Sequence, residues 1–509
     1  MTAPISDRTN YLNPPGFGPL RPGGVEAPGI IVAQSEADYP NHASKAVKAQ
    51  RPALAIVRDV AGGDERIKAC GTTYLPQAEA EAPKDYRVRL ARSLFTGFYK
   101  RAVEAYVGQL FAKDPKLGDD VPAIISQHWE NLDLAGTHAD VFLQRAAEDA
   151  LIAGHGLFLV DFPDTTGAQT LADERNQTFP IRPYWLYYAK EQILSWRTAI
   201  INGAEVLSQL VLLEATMVAN GAFGEAEQVR YRVLRREDDG RITWQLWQEE
   251  ADHSFTLVDE GLFRNQVEIP VVEVWTSGRK SLFVSEPPLI DLAKANIAYY
   301  QASSDYAYAL YRTCNPLLVQ IGIDPTDGSG PVVVGANSGF RFQRSDADVK
   351  YVEPAGTSLA ECRAALELAK ADMAMRALQV LAPDKRAAET ATAKRLSKST
   401  TDSVLAVCAR GLADAIERGL GFHARYLGIP DGGSVEINRD YDILGADAQM
   451  ISALGILLDR GNFPPQFIIE EMQRLGAFPG KNAEEMAMAV EAEREARAEL
   501  RRLESGQTP

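Results

Sequence analysis

The 509-residue sequence contains no apolar run of the ~18 residues that a membrane-crossing helix requires. It has four cysteines, Cys70, Cys314, Cys362 and Cys408, none in a C-x-x-C pair, so neither a disulfide framework nor a thiolate zinc site is expected, and the thiols read as small buried apolar groups. The six histidines, at 42, 128, 138, 155, 253 and 423, never fall at the i, i+4 spacing of a helical zinc site. Positive charge is also scarce: 53 Lys and Arg stand against 69 Asp and Glu, net −16. A protein that grips nucleic acid through its phosphates needs the opposite balance, so any DNA contact is expected to be transient. The opening MTAPISDRTN has no basic stretch followed by an apolar core, which reads as the absence of a signal peptide and points to assembly in the cytosol.

Catalytic motifs are equally scarce. Gly476-Ala-Phe-Pro-Gly480-Lys481 is one residue short of a phosphate-binding loop and lacks the Ser or Thr after the lysine. The run Asp324-Pro-Thr-Asp327-Gly328 lacks the alternating ligands and closing glutamate of a calcium loop and reads as a turn. No G-x-S-x-G elbow is present. His155, between two glycines, reads as the junction of a helix and a buried strand, and Asp161 with Asp164 as solvated acids at a strand end. No catalytic residue, metal site or cofactor is therefore expected.

What is present is a regular alternation of helix and strand signals that predicts an α+β fold. Ten prolines and glycines between Pro14 and Gly29 predict an extended or disordered arm over residues 1–49. Apolar residues from Tyr86 to Leu110 recur at three- and four-residue steps and predict one long helix after Pro83. A helix over Ala139–Leu151 closes at Gly154 and leads into the strand LFLVDFP. Residues 229–276 alternate apolar and polar, with a hairpin at Asp239-Gly240. Ser285 is expected to cap a helix running to about Thr313. Four short strands, PLLVQIGI, PVVVGA, FRFQR and VKYVEP, then form a small β module. Ser358 and Glu361 make a capping box for a second long helix to about Leu381, and Pro383 stops it. A third helix from about Glu389 to Gly428 carries Val404, Val407, Gly411, Ala415, Gly419 and Phe422 on one stripe. Between Asp384 and Lys398, at the bend that leads into this third helix, Lys385, Arg386, Lys394, Arg395 and Lys398 form a basic island. The segment from Asp447 onward reads as helical again.

Five segments, GGDERIKACGTTYLP (62–76), LAGTHADVFLQRAAEDALIAGHGLFLVDFP (134–163), RPYWLYYAKEQILSWR (182–197), EPPLIDLAKANIAYYQASSDY (286–306) and YVEPAGTSLAECRAALELAKADM (351–373), taken in that order, resemble the portal proteins of tailed bacteriophages. The resemblance spans roughly residues 50–475. It implies a wing over 50–284, stem helices over 285–313 and 354–381, and a clip over 314–353. It further implies a tunnel loop over 382–390, a helix crossing back into the wing over 391–440, and a crown and tail over 441–509. By that resemblance the chain forms a ring, expected to be a homododecamer, at the capsid vertex of a virion, after assembly in the host cytoplasm. Double-stranded DNA passes through it in packaging and ejection. Its implied partners are the terminase large subunit, a head-completion or adaptor protein, and the major capsid and scaffolding proteins, with no membrane. Lys385, Arg386 and Lys394 would face the DNA channel, and Asp324, Asp327, Asp346 and Asp348 of the clip would meet basic partner surfaces. The competing readings are a capsid-associated nuclease or protease, which calls for a compact acidic or nucleophilic site, and a cytosolic helical adaptor, which leaves the inserted β module without a purpose.

Overall fold

The computed structural model describes residues 39–163, 181–250, 253–276, 279–314, 317–321, 348–352, 359–376, 391–438, 466, 469–470 and 485–492. They form a mixed fold of helices and antiparallel sheets. The chain divides into two units, residues 1–107 with 116–436, and residues 108–115 with 437–509.

In the first unit, helix α1 (Lys45–Ala61) begins inside the stretch expected to be an extended arm, because the Ser44 hydroxyl accepts the Val47 amide at 3.3 Å and caps it. α2 (Gly63–Ala69) follows directly. The single helix expected after Pro83 is two, α3 (Pro83–Arg92) and α4 (Phe98–Leu110). Long-range side chains hold the break open: Asp64 accepts the Phe95 amide at 2.8 Å. Asn296 also accepts the Tyr99 amide at 3.0 Å and donates to the Thr96 carbonyl at 2.9 Å. These bonds satisfy main-chain groups that a continuous helix would have paired within itself. Strand β1 (Lys116–Leu117), α5 (Ala123–His128) and α6 (Ala139–Ala153) come next.

α6 ends where the sequence predicts. Gly154 has φ +97°, and a Cβ there would lie 2.6 Å from the Ser285 hydroxyl, so both its conformation and its surroundings require glycine. At the end of α6, Lys190 Nζ donates to the Ala153 carbonyl at 3.0 Å, and the Ala150 carbonyl, which accepts the Gly154 amide at 2.7 Å, also accepts the Thr276 hydroxyl at 2.9 Å. β2 (His155–Asp161) follows, buried throughout its length. It is the central strand of an antiparallel sheet between β3 (Tyr184–Ala189) and the later β9 (Val271–Trp275). Phe158 of β2 packs against Phe142 of α6 and against Trp185 and Tyr187 of β3, with ring centroids 5.4 to 5.9 Å apart.

The other large sheet is a five-stranded meander of β4 (Ile193–Ile201), β5 (Ala204–Asn220), β6 (Gly224–Arg236), β7 (Ile242–Glu249) and β8 (Phe255–Leu262). Its core is Leu194, Val211, Tyr231, Val233 and Phe255. The hairpin expected at Asp239-Gly240 joins β6 to β7, with Gly240 at φ +86°. The β4–β5 hairpin turns on Asn202-Gly203, both with positive φ, a dipeptide that signals such a turn on its own and that the sequence reading passed over.

After the short β10 (Arg279–Ser281) and β11 (Val284–Ser285), helix α7 spans Ile290–Cys314. Ser285 does not cap it. Pro287 and Pro288 hold the residues before them out of helical geometry, and Ser285 lies in β11 with its hydroxyl 2.6 Å from His155 Nδ1. Strands β12 (Leu317–Ile321) and β13 (Asp348–Val352) pair antiparallel, Leu317 opposite Val352 and Ile321 opposite Asp348. α8 (Leu359–Arg376), α9 (Ala391–Tyr426) and β14 (Val435–Glu436), which pairs with β1, complete the unit. PVVVGA and FRFQR, Ser358, the stop at Pro383, Asp164 and Gly476–Lys481 lie outside the described residues.

α9 is seated by its small residues. A Cβ on Gly419 would run into the Trp185 ring, and one on Gly411 into the Trp275 carbonyl. Ala415 and Phe422 of the expected stripe are buried with them. In the second unit, the Asn438 amide donates to the Gln109 carbonyl at 3.0 Å, and residues 485–492 are helical.

Candidate functional site

Three clusters in the first unit bring together side chains that could carry chemistry. His155, Ser285 and Lys190 form the first. Burial holds the imidazole neutral, pushing its pKa down to about 3, and lowers the Lys190 ammonium to about 8. A serine beside a histidine resembles a nucleophile and its base, but both are buried. Lys190 is spent on two carbonyls, Ala153 and Ser285, the latter at 2.8 Å. The cluster therefore fastens the end of α6 to β11, in keeping with the structural reading of His155.

The second cluster corrects the reading of Asp161 as a solvated strand end. Asp161 is buried and accepts from Arg232 at 3.2 Å and from the Tyr184 hydroxyl at 3.1 Å. Arg232 also donates to Glu214 at 2.5 Å, and Glu214 accepts from the Tyr188 hydroxyl at 2.6 Å. Burial raises the Asp161 carboxyl above its ordinary range against the opposing pull of Arg232. Arg58 plays the same part elsewhere, joining Asp149 and Glu191. These charges sit on strands and helices whose apolar residues carry the periodic signal, so nothing local in the sequence marks them as paired.

The third cluster is His128, His423 and Trp185. Trp185 Nε1 donates to His423 Nδ1 at 3.2 Å, so the remaining proton of neutral His423 sits on Nε2, 2.8 Å from His128 Nδ1. Burial lowers His423 to about 3 and His128 to about 4. Among the described residues no three His, Cys, Asp or Glu side chains are grouped to hold a metal ion, and no helix is long and apolar enough to cross a membrane. Of the cysteines, Cys408 is buried as expected, with Sγ donating to the Thr276 carbonyl at 3.0 Å. Cys314, at the exposed far end of α7, and Cys362, on α8, are instead exposed, and Cys70 is half-buried.

The remaining candidate is a surface. The first half of α7 is a core helix: Leu292, Ala293, Asn296, Tyr300 and Ser304 are buried, and Tyr300 meets Phe95 edge-on at 5.6 Å. The second half exposes Tyr308, Leu310 and Tyr311. α8 packs along α7 yet buries only Met373 among its side chains from Leu359 to Met373, while Leu368 is 73% exposed. The stretch from α7 to α9, with β12 and β13 inserted, is also where the family comparison falls. Residues 288–427 match the model of a domain of unknown function, DUF4055. No curated protein matches the chain. Solved structures that are similar include a chain of a virion of the native gene transfer agent (GTA) particle, with 13% identity over 83% of this chain and 98% of that one and a TM-score of 0.37. Two chains from the necks of GTA particles are also similar. The one from an empty particle, computed with C6 symmetry, is 15% identical with a TM-score of 0.37, and the one from a native particle, computed with C12 symmetry, is 14% identical with a TM-score of 0.36. Each covers 80% of this chain and 94% of the neck chain.

Of the residues expected to act, Asp348 opens β13 opposite Ile321, and Lys394 lies at the start of α9. Lys385, Arg386, Asp324, Asp327 and Asp346 lie outside the described residues.

Proposed function

We propose that this chain is the subunit of a portal ring, the vertex assembly of a tailed-phage-like particle through which double-stranded DNA is packaged and leaves. The observation that carries the reading is the exposed apolar surface of α8 and the outer half of α7. A helix with leucine and alanines around its circumference needs neighbours on more than one side, and among the described elements the one that packs extensively on α8 is α7. Head-to-tail contacts between such surfaces close into a ring when the rotation allows. The element order supports the same reading, a long helix, a β pair, a second long helix and a third that returns to the body between Trp185 and Trp275.

In this reading β12 and β13 belong to the clip, and Asp324, Asp327, Asp346 and Asp348 offer negative charge to the packaging motor and the head-completion protein. Lys385, Arg386 and Lys394 face the channel. The start of α9 carries Lys394, Arg395 and Lys398 and no acid in its first turn. A helix N-terminus disfavours cations and favours anions, so a positive charge retained there suits a passing phosphate. Net charge −16 keeps the grip on DNA weak enough for sliding. The chain itself performs no nucleotide hydrolysis, which falls to the motor. Electron microscopy and native mass measurement of the purified chain test the proposal: closed rings with a central hole are expected, and monomers at every concentration would overturn it.

A further inference from the structure

One part of the five-stranded sheet is joined by no other strand among the described residues. β5 and β6 pair without interruption from Gln209 opposite Arg235 to Asn220 opposite Gly224. β4 accompanies β5 only as far as Leu212, and β7 reaches β6 only from Arg230. Residues 213–220 and 224–229 therefore form a two-stranded ribbon that no described strand joins on either edge. Eight residues at ~3.4 Å each make it roughly 25 Å long. The carbonyl of Leu213 accepts from Gln192 at 3.1 Å, which shows that the odd-numbered positions of β5 turn their main-chain groups outward. Past it, no described hydrogen bond reaches the outward groups of Ala215, Met217 or Ala219 on one edge, or of Glu225 and Glu227 on the other. Met217 is exposed, and Phe223 at the tip is completely so.

An isolated two-stranded ribbon is marginal in water, and bare edges recruit further strands. We propose that neighbouring copies of this chain join their ribbons edge to edge, β6 of one copy against β5 of the next, so that the ribbons close into a barrel of alternating up and down strands. The inference rests on the ring reading and says how part of that ring is held. Three features select this pairing. The two edges of one ribbon run in opposite directions, so β6 beside the next β5 is antiparallel, repeating the in-chain arrangement. That register sets Glu227 opposite Met217 and Glu225 opposite Ala219, as within the chain. Pairing β6 with a second β6 would instead set Glu225 against Glu227, and like charges directly opposite are destabilising. Pairing β5 with a second β5 would leave both β6 edges bare. Only the heterologous contact covers every edge, and closure is what removes edges altogether.

The test uses the full chain with Cys70, Cys314 and Cys362 changed to serine and buried Cys408 retained. Val218→Cys and Ala226→Cys are made as separate variants, because in one chain they lie opposite each other and would pair internally. Across the proposed contact they face one another within disulfide range. Co-expressed and mildly oxidised, the two variants should give covalent dimers within intact rings, and neither variant alone should. Met217→Cys with Glu227→Cys, both exposed, serve as a second pair with the same expectation. Dimers from Val218→Cys alone would overturn the proposal in favour of β5 pairing with β5. Rings that form normally, with no cross-link from either pair, would overturn it and leave the ring reading standing. Monomers throughout, by native mass measurement, would overturn both.

Discussion

The body around β2 and the α7–α8 pair solve opposite problems with similar residues. Around β2, each charged or aromatic side chain has an internal partner: Arg232 between two carboxylates, Trp185 on His423, Phe158 among three rings. Along α8 only Met373 is buried between Leu359 and Met373, and Leu368 is the most exposed large apolar side chain there. The difference lies in what each region is complementary to. The first is shaped to fit its own chain, so altering it should damage the subunit. The second leaves apolar side chains such as Leu368 exposed among the described residues, so altering those should spare the subunit and, in the proposed ring, damage assembly.

The sharpest break of that contrast is Arg232→Ala. It leaves Asp161 and Glu214 buried without their cation, a loss of about 3–5 kcal/mol for a buried pair broken on one side. The variant is expected to lose most of its folding stability, read as a large fall in the denaturant midpoint. A change within about 0.5 kcal/mol would show that the two carboxylates escape to solvent and that the body is less closed than its geometry indicates.

How much of this was legible beforehand follows the range of the interactions. The end of α6 at Gly154, the Asp239-Gly240 hairpin and the small-residue stripe of α9 were readable, because each is written within a few consecutive residues. The break between α3 and α4 was not, since it depends on Asp64 and Asn296, the latter about 200 residues further along the chain. Asp161 misleads for the same reason: two residues before Pro163 it reads as solvated, and its partner Arg232 is 71 residues away. Ser285 misled because a serine before two prolines has the composition of a helix cap while the prolines delay the helix. For the proposed function, the order of the long helices is legible in the sequence, whereas the exposed face of α8 and the open ribbon of β5 and β6 become visible only in the fold.

A smaller effect should come from acid. His423 and His128 are held neutral in the folded chain, with pKa values lowered to about 3 and about 4 from an ordinary ~6.5. Below pH 6.5 the unfolded chain therefore binds protons that the folded chain does not, so stability is present above that pH and is lost as pH falls towards 4. The slope is about 1.4 kcal/mol per pH unit for each fully affected group, and less for His128, which is only half-buried. Thermal midpoints measured between pH 7 and pH 5 should fall, and His423→Gln should flatten that fall while lowering the midpoint at pH 7. An unchanged slope in the variant would assign the acid sensitivity to other groups.

The smallest effect on the subunit, and the most telling for the comparison, is expected from Leu368→Ser. Its side chain is 73% exposed on α8, so little apolar surface returns to water when it is removed, and surface changes of this kind stay within about 0.5 kcal/mol. The monomer's denaturant midpoint should not move measurably. In a ring the same side chain would be covered by a neighbour, and each copy of the contact would be weakened at every interface at once, so closed rings should give way to open oligomers and monomers. The counterpart inside the body is Met373, on the same helix but buried. Met373→Ser should lower the monomer midpoint as well as the yield of rings. If Leu368→Ser leaves rings intact at all concentrations, the exposed face of α8 is not where subunits meet. If it destabilises the isolated subunit as much as Met373→Ser does, the distinction between a face complementary to its own chain and one complementary to a neighbour fails for this helix.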